Sequence, residues 1–285
     1  MKTFRTKTFR TKTYRFETEK IKNKNIVRLA VLADLHGLVF GNENQELFHA
    51  IETAEPDAVL VAGDMVVSSD PSTAASVTGF FCRLANRFPV FYAMGNHEYK
   101  MRMNPGTEKQ YLAYEHVLTR AGVCFLHNEH VITGLKGTDF VFYGLELPVE
   151  YYKKPKSPYP DAEYIRKLLG SPNESGVSVL LAHNPKYGNA YFEWGADLTL
   201  SGHYHGGVLR FSEHYGLACP QYLFLPPFCC GDFHKNGHHM LVSAGLGEHT
   251  VPVRIHNPRE LIFAELAPPE NKQTTGENIQ DGNTR

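Results

Sequence analysis

Long hydrophobic runs are missing from this 285-residue chain, since no apolar stretch approaches the ~20 residues that span a bilayer. The N-terminus, MKTFRTKTFRTKTYRF, also lacks the apolar stretch and small-residue cleavage site of a secretory signal. Cysteine is scarce. Cys82, Cys124, Cys219, Cys229 and Cys230 are odd in number and show no framework spacing, which argues against a disulfide scaffold. The body of the chain has no interleaving of basic and aromatic residues, so nucleic acid is not an expected partner. These absences predict a cytoplasmic protein with reduced thiols. The remaining composition, 42% hydrophobic and 21% charged, is that of a globular protein with a real core.

Net charge is −1, but the distribution is uneven. Nine of the 29 Lys and Arg residues fall within residues 1–24 against only Glu17 and Glu19, leaving 20 basic and 28 acidic residues elsewhere. A basic arm on an acidic body suits peripheral contact with an anionic membrane, or is a plain solvated leader. The arm repeats with period five (TFRTK, TFRTK, TYRFE), too short for a solenoid. Alternation in TYRFETEKI predicts an edge strand in its last part, followed by a KNKN turn. The expected organisation is a basic arm over 1–25, one domain over 26–268 and a disordered tail over 269–285.

Within that domain, strand-like runs (IVRLAVLAD, AVLVAGD, PVFYAMGN) alternate with helical ones (ENQELFHAIETA, TAASVTGFFCRLANRF, EKQYLAYEHVLTRAG). Strands near VCFLHNEHVIT and DFVFYGLEL, a helix at AEYIRKLL, and strands VSVLLAHN, DLTLSGH, HHMLVSAGLG and ELIFAEL follow. Alternation in the first half predicts parallel pairing, and the strand-rich second half predicts sheet with antiparallel portions. The class is α/β.

Five of these strands run into metal-ligand side chains. LAVLAD leads to Asp34 and His36, AVLVAGD to Asp64, VFYAMGN to Asn96 and His97, VSVLLAH to His183, and DLTLSGH to His203 and His205. Functional groups gather beyond the carboxyl ends of strands in open α/β sheets. Mixed oxygen and imidazole donors suit manganese, iron or zinc, and the lack of cysteine argues against a thiolate zinc site. A carboxylate between two such clusters can bridge two ions about 3.5–4 Å apart.

In this order, "DLH", "GD", "GNHE", "AH" and "GHYH" resemble the five-block signature of the calcineurin-like metallophosphoesterases. The resemblance implies a four-layer α/β/β/α sandwich of two mixed sheets. It implies two divalent ions per chain, manganese first, with iron or zinc as alternatives. Asp34, His36, Asp64 and His205 would hold one ion, and Asp64, Asn96, His183 and His203 the other. His97 would face the substrate, stabilise the phosphoryl group and protonate the leaving oxygen. Glu98 would orient a neighbouring imidazole, and Gly95 would let the backbone turn tightly before them. "LLAHNP", "GADLTLSGHYHGG" and "VSAGLGEHTVPVRIHNPREL" are similar to a bacterial phosphodiesterase branch related to UDP-2,3-diacylglucosamine pyrophosphatases. The implied activity is hydrolysis of a phosphodiester or pyrophosphate by metal-activated water, on a phosphorylated small-molecule or lipid-linked substrate. A phosphomonoesterase or nuclease on the same centre, or a non-catalytic scaffold of this fold, are the alternatives. No protein partner is expected. Two departures stand out. Val67 occupies a position often acidic in the family, and Tyr204 stands where a small residue is usual, as a candidate wall of the substrate pocket.

Two weaker signals remain. "FCCGDFHKNGHH" is read as a loop over the active site, with a separate zinc site as the alternative. Tyr222, Phe224, Leu225 and Phe228 make the connection after His205 apolar enough for a substrate wall or a sheet cover. His49, His116, His127, His130, His214, His249 and His256 are expected to be ordinary surface or core residues.

Overall fold

The computed structural model describes residues 8–21, 25–153, 156–217, 224–248 and 253–269. The tail beyond residue 269, the first copy of the repeat, most of the KNKN turn, Cys219, Tyr222 and His249 lie outside them. In chain order the elements are β1 (Arg10–Glu17), β2 (Val27–Leu32), α1 (Gln45–Ala54), β3 (Ala58–Ala62), α2 (Ser72–Arg87) and β4 (Val90–Ala93). Next come α3 (Asn96–Met103), α4 (Glu108–Arg120), β5 (Val123–Phe125), β6 (His130–Leu135), β7 (Thr138–Leu145) and α5 (Ala162–Leu169). The chain finishes with β8 (Val177–Ala182), α6 (Gly188–Trp194), β9 (Leu198–Ser201), β10 (Gly231–Lys235), β11 (His238–Val242) and β12 (Glu260–Ala267).

Among the described residues, twelve strands form two mixed sheets, in the orders β1-β12-β2-β3-β4-β5 and β10-β11-β9-β8-β7-β6. Successive side chains on a strand point to opposite faces, and buried strands such as VRLAVL use both. Leu29 and Val31 of β2 enter the core between the sheets, with Phe142 of β7 and Val179 of β8. Ala30 and Leu32 face the other way, under Leu47 of α1, Phe80 of α2 and Leu118 of α4. On the second sheet, Leu180 and Ala182 turn outward beneath Ile165 of α5 and Trp194 of α6. Three apolar layers thus separate four structural ones, giving the α/β/β/α sandwich.

Four elements differ from the expectation. Helix α3 (residues 96–103), helix α6 and strand β10 were not anticipated, and β1 begins within the second copy of the repeat. β1 pairs in parallel with β12, so residues from Arg10 onward belong to the sheet and not to a solvated leader.

His127, expected to be ordinary, ties three segments together. Its Nε2 lies 3.0 Å from Glu115 of α4, its Nδ1 contacts Glu146 beyond β7, and its ring stacks on Phe125 of β5. Burial opposes its charge, but the bonds to Glu115 and Glu146 outweigh that and raise its pKa to about 9. A raised pKa stabilises the fold fully below the unfolded value, and the contribution disappears as pH rises through the folded one. His127→Gln should therefore cost about 2 kcal/mol at pH 6. Urea midpoints of the two proteins should converge by about pH 9.5; a gap that stays constant with pH would show that charge plays no part.

Candidate metal centre

Parallel pairing of β2, β3 and β4 in one sheet, and of β8 and β9 in the other, sets their carboxyl ends along one rim. The rims meet where His183 Nδ1 donates to Ala62 O at 2.7 Å and His203 N donates to Asp34 Oδ2 at 2.9 Å. Asp34, His36 and His205 form one group with ligand atoms within 4.8 Å of one another, and Asp64, His183 and His203 form another. A third joins Asp64 to His36 and His97. Inside these groups His183 Nε2 lies 3.0 Å from Asp64 Oδ2, His205 Nε2 lies 3.5 Å from Asp34 Oδ1, and the Nε2 atoms of His36 and His205 face each other at 3.2 Å.

The backbone is strained where these side chains converge. Asp34, His36, Asp64, His203 and His205 have φ of 53°, 50°, 59°, 68° and 49°. Non-glycine residues rarely adopt this left-handed conformation, and it concentrates at functional sites. Five of the seven expected ligands share it. Asn96 and His183 avoid it because they follow their strands directly into a helix and a short turn.

Electrostatics agree with a cation site. Burial pushes the Asp34 carboxyl up to about 7. Burial acts on Asp64 too, but His183, His97 and His36 overcome it and hold that carboxyl well below the usual range. Burial opposes charge on His183, yet Asp64 raises it to about 9. An ion entering here would compete with the protons that such groups otherwise hold, the ordinary competition between metal and acid. The residues also fit a metal chemically, because the buried Asn96 Oδ1 has no hydrogen-bond donor among the described residues. A buried carbonyl oxygen without a partner is costly unless an electrophile meets it.

The calcineurin-like phosphoesterase profile matches residues 27–207, more than half of the chain. The protein belongs to the calcineurin-like phosphoesterase family. This phosphoesterase is 27% identical over 257 residues to the uncharacterized protein YpbG of Bacillus subtilis, a match covering 88% of this chain and 85% of that one. A Helicobacter pylori metallophosphoesterase, itself uncharacterized, is 30% identical over 253 residues, covering 85% of this chain and 60% of that one. The phosphodiesterase YaeI of Escherichia coli is 30% identical over 157 residues, covering 55% of this chain and 51% of that one. This chain spans less than two thirds of those last two relatives. Membership makes the protein a metal-dependent hydrolase of phosphoric esters.

Several residues of the phosphoesterase do something other than expected. Glu98 orients no imidazole. It is fully buried and accepts the backbone N–H of Asp64 at 2.9 Å, Met65 at 2.6 Å and Gly95 at 3.1 Å, plus the Tyr92 hydroxyl at 2.8 Å. Burial, then the Asp64 charge, pushes its carboxyl up to about 7. Gly95 has an ordinary φ of −92°, so it serves closeness and not a turn: a Cβ there would lie 2.2 Å from Asp64 Oδ1. Tyr204 does not line an open pocket, being 1% exposed and packed with its ring 5.9 Å from that of His203. The left-handed residues on either side of it take the rim positions and leave its side chain inward.

Most of the Cys–His segment is the β10–β11 hairpin and not a loop. Cys229 and Cys230 are buried, His234 faces His239 across the β10–β11 hairpin, and no ligand group among the described residues includes them. Phe228 packs between Phe192 and Phe233, whereas Phe224 is 71% exposed.

Three neighbours of the centre escaped the sequence. Tyr152 sets its ring 5.2 Å from His203, Ser68 N donates to His97 Nδ1 at 2.9 Å, and Arg254 Nη2 lies 3.4 Å from His205 Nδ1. No spacing in the sequence singles them out.

Replacing Glu98 tests the carboxylate that holds the Asp64 loop. Glu98→Gln turns an N–H₂ toward backbone donors, and should lower stability by roughly 2–3 kcal/mol. Metal content per chain should fall as well. Unchanged urea and metal titrations would reduce this carboxylate to a passive filler.

Proposed function

We propose that this phosphoesterase holds two divalent ions and hydrolyses a phosphodiester or pyrophosphate bond. Asp34, His36, Asp64 and His205 hold one ion; Asp64, Asn96, His183 and His203 hold the other, with Asp64 shared. The single observation that carries this is the place of Asp64 in two of the ligand groups, one with His36 and one with His183 and His203. Manganese suits the mixed donors best, ahead of iron or zinc. When bound, the ions supply Lewis acidity, lowering the pKa of water and neutralising charge on the phosphoryl oxygens.

The side chains divide the remaining work. His183 donates its Nδ1–H to Ala62 O, which leaves Nε2, 3.0 Å from Asp64 Oδ2, as the atom that would ligate an ion once its own proton is displaced. The α3 N-terminus holds Asp64 from behind, through His97 N to Oδ1 at 2.8 Å. His97 Nδ1 accepts the Ser68 N–H, so the neutral ring carries its proton on Nε2. Burial lowers the pKa of His97; Asp64 counters this, while Lys100 and His183 reinforce it. With Nδ1 engaged in this way, His97 is assigned as an Nε2–H donor to a phosphoryl oxygen, in place of the proton source for the leaving group that the resemblance implies. Preference for a diester or pyrophosphate draws on the phosphodiesterase name of YaeI and on the branch resemblance.

The manganese-loaded chain should turn over bis(4-nitrophenyl) phosphate faster than 4-nitrophenyl phosphate, and Asp64→Ala should lose both ions by elemental analysis. Two ions retained in that variant would remove Asp64 from its shared place, and the reverse substrate order would make the enzyme a monoesterase. His97→Ala should keep its metals while turnover drops roughly 10²–10³-fold. The drop should be equal for nitrophenyl and alkyl leaving groups. A much steeper loss on the alkyl ester would restore His97 as the acid.

A further inference from the structure

β12 runs antiparallel to β2, and β1 runs parallel to β12, so β1 starts at the rim where β2 delivers Asp34. Beside that start is a cavity of about 450 Å³ whose polar wall is Thr8, Arg10, Arg254, His256, Asn257 and Arg259. No carboxylate among the described residues lines it. The metal centre is its immediate neighbour. Asn257 Nδ2 donates to His205 O at 2.6 Å, and Arg254 lies 3.4 Å from His205 Nδ1 while donating to Gly247 O at 2.7 Å.

The positive charge here is in excess. Glu248 serves two guanidiniums, in close contact with Arg259 and 4.0 Å from Arg254 Nε. The Arg10 side chain has no ion pair or hydrogen bond among the described residues, while its backbone N–H donates to Arg259 O at 2.8 Å. A second cavity of about 840 Å³ shares Arg10 and His256. There the added cations are neutralised, Lys12 by Glu213 at 3.1 Å and Arg210 by Glu260 at 2.6 Å. The excess of guanidinium over carboxylate is thus greatest at the smaller cavity, where Arg254 and Arg259 join Arg10.

We infer that this cavity binds a second phosphate group of the substrate, on the far side of His205 from the phosphoryl group that is cleaved. Guanidinium forks match phosphate oxygens in pairs, which an ammonium does not do, and a concave cationic wall concentrates such anions. The inference rests on the proposed metal centre only for the position of the first phosphate. The second can belong to a soluble molecule or to a lipid headgroup, since either presents the same oxygens.

Calorimetric binding to the full manganese-loaded chain tests this without turnover, so an inactive centre does not mask the cavity. The probes are propyl phosphate, alkanediol bisphosphates with two to six carbons between phosphates, and phosphatidylcholine vesicles carrying phosphatidic acid. At least one bisphosphate, or the acidic vesicle, should bind at least about tenfold tighter than propyl phosphate. The Arg10→Ala, His256→Ala double variant should lose that gain while keeping its affinity for propyl phosphate. Dependence seen with bisphosphates assigns a soluble substrate, and dependence seen with vesicles assigns a lipid-borne one. Loss of propyl phosphate binding to the same extent, or no dependence on the two side chains with any probe, overturns the inference.

Discussion

One buried carboxylate holds the centre in shape. Glu98 lies inside the first sheet's rim, where an ionised acid is costly unless hydrogen-bonded. Backbone N–H groups on both sides of the centre converge on it: those of Asp64 and Met65 from the loop after β3, and that of Gly95 before α3. Those donors would otherwise be orphaned at a left-handed loop and at a helix start. One side chain therefore resolves two backbone problems and sets the distance between Asp64 and the Asn96–His97 pair.

From that anchor the strain along the rim becomes intelligible. Left-handed backbone at five ligand positions disfavours the isolated loops, and each departure needs an external brace. Asp34 receives His203 N, His36 N donates to Asp64 O at 3.1 Å, and Gly202 N donates to His183 O at 3.0 Å. Braces of this kind cross between strands and between sheets. The two sheets therefore have to pack before the ligands can point together, which couples the inter-sheet core to the chemistry.

Much of this was legible in the residues. Strand ends that finish in Asp, Asn or His are visible without coordinates, because the apolar run and the polar stop occur in the same few letters. The same holds for both-faced strands such as VSVLLA, whose apolar continuity requires cover on two sides. What stayed hidden depends on partners distant in sequence. Glu98 reads as an accessory to a histidine until its backbone donors are known, and Tyr204 reads as a pocket wall until its neighbours' left-handed φ values turn it inward. His127 becomes a clamp only through Glu115 and Glu146, and Arg254 matters only because its loop returns to His205. The family resemblance located ligands; it did not locate what supports them.

The parallel pairing of β1 with β12 also dictates an order of assembly. Arg10 lies opposite Glu260, so β1 has to wait for a partner about 250 residues further along the chain. Until β12 arrives, β2 exposes an open hydrophobic edge, and such edges invite pairing with other chains. Closure across so long a stretch is entropically expensive and slows folding. Arg10, Lys12 and Arg15 put three charges on the waiting strand, one at every second or third residue. Their spacing keeps β1 hydrated and unattractive to foreign strands during that delay, a duty discharged before the enzyme has met any phosphate.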